Sequence, residues 1–73
     1  MAALHQKLGR TIRRLRTSRG FSQESFADAV GVHRTYMGTV ERGETNITIE
    51  NLSRISKTLR LKLSELFAEV EAS

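Results

Sequence analysis

With 73 residues, 38% of them hydrophobic, and no cysteine, the chain can build one small core and has neither a disulfide framework nor a cysteine zinc site to staple it. Twelve Lys and Arg against eight Asp and Glu leave a formal net charge of +4, which attracts polyanions. No apolar run reaches membrane-span length and the N-terminus lacks a signal peptide's apolar stretch, so the expectation is a cytoplasmic protein, one domain over 1–73, with no membrane partner.

Leu4, Leu8, Ile12 and Leu15 recur at helical spacing and Gly20 supplies a stop, which predicts a first helix over about residues 3–19. Its remaining faces are cationic: half of the basic residues (Lys7, Arg10, Arg13, Arg14, Arg16, Arg19) precede position 20. The acids are distributed the other way, with five of the eight from Glu44 onward.

Ser22 opens the run SQESFADAVGVHRTYMGTVER, which reads as two short helices joined by a tight turn. Ser22 is a good cap, Glu24 sits in the first turn, and Phe26, Ala27 and Val30 form a narrow apolar stripe that stops at Gly31, giving a second helix over about 23–29. Val32, Met37 and Val40 are the inward positions around a third helix over about 34–41, ended by Gly43. Arg34, Thr35, Gly38 and Thr39 fall on its other faces, and a short helix with a polar outer face can enter the major groove of DNA.

Glu44 to Ile47 reads as a loop. Thr48 then caps a fourth helix whose stripe is Ile49, Leu52, Ile55 and Leu59, reaching to about residue 58. A fifth helix carries Leu63, Leu66, Phe67 and Val70. Without proline or an alternating strand pattern, the fold class is all-α.

On these residues the chain resembles the lambda-repressor-like, Xre-type helix-turn-helix family across almost its whole length. SQESFAD is close to the family's Ser/Thr-Gln-Glu-x-x-Ala pattern, and VERG, a polar loop, TI and LxxI match the family's pattern after the motif. In RTYMGTVERGETNITIENL the chain is similar to the small controller proteins of restriction-modification systems. The resemblance implies a compact five-helix DNA-binding domain with the motif at the second and third helices.

An unpaired helix N-terminus suits a phosphate, so Ser22 and Gln23 at the start of the second helix are candidate phosphate contacts. The resemblance implies that Gln23 also braces the first recognition residue, Arg34. Arginine at the start of a groove-inserted helix pairs bidentately with guanine, which makes Arg34 the leading base contact, followed by Thr35 and, one turn on, Thr39. Tyr36 has three readings: a phosphate contact, packing on thymine methyls, or a core aromatic. Gly38 marks either backbone against backbone or a groove without room for a side chain. The resemblance places phosphate contacts at Arg42 and Asn46. It also pairs Glu41 with Arg16 in a salt bridge tying the first helix to the third. Thr45 departs from the longer basic side chain frequent in controllers, and His33 and Lys62 stand where the family prefers other caps, so both helices after them are expected to begin slightly differently.

The last two helices hold more apolar residues than one buried face of each requires, and the resemblance implies a homodimer formed there. Leu61, Leu63 and Phe67 are the candidates, with monomer core as their alternative. The function so implied is a homodimeric, sequence-specific transcriptional regulator on a palindromic operator, in a restriction-modification context. Phage repressor or antitoxin is the alternative, and a protein-interaction module that has lost DNA binding is the alternative of another class. Activation would require a contact to RNA polymerase, for which Glu24 and Asp28 are candidates. His5 and His33 stand apart from other ligand types, so no metal, cofactor, small-molecule ligand or catalytic residue is expected.

Overall fold

The computed structural model describes residues 2–73 as five helices: α1 (Ala2–Ser18), α2 (Gln23–Val30), α3 (Arg34–Glu41), α4 (Ile49–Thr58) and α5 (Leu63–Ala72). Among the described residues there is no strand. Among the described residues no helix is long and apolar enough to cross a membrane.

The starts of α2, α3, α4 and α5 have local causes. The Ser22 hydroxyl accepts from the Ser25 N–H at 3.0 Å, and the Ser25 hydroxyl accepts from the Ser22 N–H at 3.0 Å, a reciprocal capping box. Thr48 caps α4 through the Asn51 N–H at 3.1 Å. His33 caps α3 with imidazole Nδ1, which accepts from the Thr35 N–H at 3.1 Å. An imidazole acceptor thus replaces the missing short oxygen side chain, and α3 still begins at Arg34. Lys62 has no side-chain acceptor, so only half a box forms, with the Lys62 N–H donating to the Glu65 carboxylate at 2.8 Å.

The helix ends are turns with left-handed residues. Gly31 (φ 92°) and Gly43 (φ 71°) sit where a side chain would be strained. After α3 the Glu44 N–H donates to Thr39 O at 2.9 Å and the Gly43 N–H to Val40 O at 3.1 Å. The chain after α4 takes the same path through a non-glycine residue, Arg60 (φ 61°).

One apolar cluster draws on all five helices, including Leu8, Ile12 and Leu15 of α1, Phe26 and Val30 of α2, and Met37 and Val40 of α3. Leu52, Ile55, Leu59, Leu66 and Val70 complete it. α1 packs against α3 and α5, and α2 against α3 and α4. Gly9 permits the α1–α3 contact: a Cβ there would stand 2.5 Å from the carbonyl oxygens of both Val40 and Glu41.

Two members of the expected stripes are exposed, whereas Val32, Leu63 and Phe67 are half-buried against the core. Leu4 is 44% and Ile49 73% exposed. Each stands near the start of its helix, and helical side chains lean toward the N-terminus, so these two project past the end of the layer they belong to.

Candidate nucleic-acid interface

The outer face of the α2–α3 pair is built from side chains that the core has no use for. Arg34, Gly38 and Arg42 succeed each other four residues apart, so they form one row along α3, with Thr35 and Thr39 in the neighbouring row. Arg34, Thr35, Arg42 and Asn46 are exposed; Gln23 and Thr39 are half-buried. The row starts beside the N-terminus of α2, where Gln23 is the first helical residue.

Gln23 is held from beneath. Its amide Nε2 donates to Glu41 Oε1 at 3.2 Å, and a carboxylate only accepts, which turns the Gln23 carbonyl oxygen outward. Glu41 is in turn gripped by Arg16, whose Nε donates to Oε2 at 2.7 Å and Nη2 to Oε1 at 3.0 Å. The remaining Arg16 nitrogen, Nη1, donates to Phe21 O at 3.0 Å. With side-chain exposures of 9% and 3%, the Arg16–Glu41 pair is buried, so the carboxylate adds little negative charge to the outer face.

Gly38 is not crowded by another backbone. A Cβ there would lie 3.1 Å from Arg42 Nη1 and 3.6 Å from the Gln23 carbonyl oxygen. The missing side chain is a slot over which two polar side chains of different helices converge. Backbone crowding occurs instead at Gly9, a position that nothing in its sequence neighbourhood singles out.

The other candidates are less free than their residue types suggest. Ser22 spends its hydroxyl on Ser25, donating to Oγ at 3.0 Å while accepting from the amide. Thr39 donates to Tyr36 O at 2.7 Å. Tyr36 is half-buried against the core, and its hydroxyl accepts from Asn51 Nδ2 at 3.1 Å. Asn51 carries no signal in the sequence beyond its place in the first turn of α4. Each exposed arginine of α3 and its turn has a carboxylate nearby: Arg34 Nη1 is 3.9 Å from Glu24, and Arg42 Nε is 3.0 Å from Glu44. An open cleft of about 650 Å³ lies between α2 and the start of α3, lined by Glu24, Asp28, His33 and Arg34.

Leu61, Leu63 and Phe67 are half-buried at the edge of the core. Arg14 of α1 reaches α5 at Glu69, 2.7 Å away, in an exposed pair of small energetic weight.

Comparison with known proteins agrees with this architecture. Residues 12–66 match the model of a family described as helix-turn-helix. The chain is similar to the control protein C.MunI of a Mycoplasma species, 39% identical over 66 residues that cover 89% of each protein. It is 37% identical over 59 residues to the control protein C.BamHI of Bacillus amyloliquefaciens, covering 80% of this chain and 73% of that one. The crystal structure of the restriction-modification controller protein C.AhdI from Aeromonas hydrophila superposes with a TM-score of 0.85 at 39% identity, over 90% of this chain and 96% of that one. Caps, turns, an outward α3 and these relationships agree: the chain belongs to the helix-turn-helix family.

Proposed function

We propose that this helix-turn-helix protein is a sequence-specific DNA-binding transcriptional regulator that controls a restriction-modification system. The observation that carries the reading is the outward row of α3, with Arg34 exposed at its start and Thr35 beside it. An α-helix fits the major groove, where Arg34 meets guanine O6 and N7 and Thr35 an adjacent base. Arg42 and Asn46 meet phosphates on one side of the groove, and Gln23 meets one on the other through its backbone N–H at the start of α2, since its outward carbonyl oxygen only accepts. Thr39 and Tyr36 are secondary contacts, which requires Tyr36 to leave Asn51 or to bind DNA with that tether intact. The likeness to the restriction-modification controller protein C.AhdI supports the restriction-modification context, and the control proteins C.MunI and C.BamHI support a control function.

The regulator acts as a homodimer in the cytoplasm. One module buries only about 600–1,000 Å² on DNA, too little for selective binding, so two copies read an inverted repeat from adjacent turns of the duplex. The half-buried edge formed by Leu61, Leu63 and Phe67 is the dimer surface. For activation, Glu24 and Asp28 on the cleft beside α3 are the groups offered to RNA polymerase.

Selection of bound sites from a random duplex library at physiological salt, run in parallel with Arg34→Ala, tests the reading. Recovery of an inverted repeat, relaxed at one base pair per half-site in the variant, supports it. Recovery of no motif, with weak binding that vanishes steeply as salt rises, reduces the face to phosphate attraction and favours a protein-interaction module.

A further inference from the structure

Arg42 is already occupied. Its Nε donates to Glu44 Oε1 at 3.0 Å, and its Nη1 stands over the Gly38 slot. Glu44 is placed there by the backbone, because the turn that ends α3 ties the Glu44 amide to Thr39 O at 2.9 Å. The two side chains are 58% and 56% exposed, so the pair is weak and open to exchange. The contrast with Arg16 is sharp: that arginine makes three hydrogen bonds, to two partners, and is buried.

A carboxylate beside a phosphate-seeking arginine has one electrostatic consequence. Provided that the α3 face binds DNA as proposed, we propose that Glu44 is an intramolecular stand-in for a DNA phosphate. It holds the Arg42 guanidinium in the free protein and is displaced from it when the phosphate arrives. Glu44 thereby lowers the affinity that Arg42 supplies, an affinity that carries no sequence information. Arg34 repeats the arrangement more loosely with Glu24, at 3.9 Å. Both cations of the outer α3 row are thus damped until DNA competes for them.

A thermodynamic cycle tests the exchange. Affinities for a duplex recovered in the selection experiment are measured for the wild type, Glu44→Gln, Arg42→Gln and the double variant, with circular dichroism to verify folding. Glu44→Gln keeps the side chain's shape and removes its charge. It is expected to tighten binding by a factor of about two to five, the span of an exposed ion pair, and that gain is expected to disappear in the Arg42→Gln background. An equal gain in both backgrounds means simple repulsion between Glu44 and DNA and overturns the exchange while leaving Arg42 as a phosphate contact. Weaker binding by Glu44→Gln makes Glu44 a brace for Arg42 and also overturns it. If Arg42→Gln alone changes nothing, the phosphate contact at Arg42 fails, and the exchange with it.

Discussion

Arg16 and Glu41 face each other in a two-pronged contact, Nε to Oε2 at 2.7 Å and Nη2 to Oε1 at 3.0 Å, between the last turns of α1 and the last residue of α3. The same carboxylate accepts from Gln23 of α2, so three helices meet at one buried anion. This junction ties the end of α3 to α1 and to the first turn of α2, and it holds the Gln23 amide.

Glu41→Gln removes the charge and leaves the Arg16 guanidinium buried with no counter-ion. The expected loss is about 3 kcal/mol or more, because breaking one side of a buried pair costs more than the pair contributes. Replacing both partners by Met and Leu is expected to restore much of it. Urea midpoints at unchanged slope check both. DNA affinity of the double variant separates packing from orientation: the fold returns and Gln23 stays unfixed.

Two glycines in helices respond oppositely to alanine. At Gly9 the new Cβ meets backbone carbonyls at 2.5 Å, so α1 and α3 must part, at a cost of about 1–3 kcal/mol. At Gly38 its one tight contact is the end of Arg42, at 3.1 Å, a side chain that can swing away, while the Gln23 carbonyl oxygen at 3.6 Å is in ordinary contact, and the helix gains up to about 1 kcal/mol in propensity. Thermal unfolding is expected to show Gly9→Ala melting lower and Gly38→Ala melting at or above the wild type. A DNA titration is expected to show Gly38→Ala binding more weakly, since Arg42 has lost its slot.

Arg60 adopts φ 61° in the turn after α4, a conformation that glycine enters without steric penalty. Arg60→Gly is expected to stabilise the fold by up to about 1 kcal/mol. A rise in melting temperature reads it, and a fall would mean that contacts of the Arg60 side chain outweigh the backbone strain.

Thr11 is 1% exposed and its hydroxyl has no hydrogen-bond partner among the described residues. Thr11→Val keeps the branched shape and removes the stranded polar atom. A gain of about 1 kcal/mol is expected in the urea midpoint.

Helix order, spans and stops were legible locally. The α3 and α4 spans, Arg34–Glu41 and Ile49–Thr58, agree with the reading from periodicity, caps and glycine, and α1 and α2 differ from theirs by about a residue at their ends. Ser22, Thr48 and Gly43 act within their own turn, so neighbouring residues suffice to identify them. The Arg16–Glu41 pairing was accessible by resemblance alone, since nothing in the spacing of two residues on different helices reveals that they touch.

What the amino-acid order by itself determined is therefore the set of helices, the glycine turns and the polar outer row of α3, because periodicity and capping depend on residues within a few positions of one another. The tertiary structure decided the rest. It placed α3 carbonyls against Gly9, turned the Gln23 carbonyl outward, tied Tyr36 to Asn51 and left Leu4 and Ile49 outside the core. Each depends on how far one helix stands from another, a distance set by the packing of side chains remote in sequence.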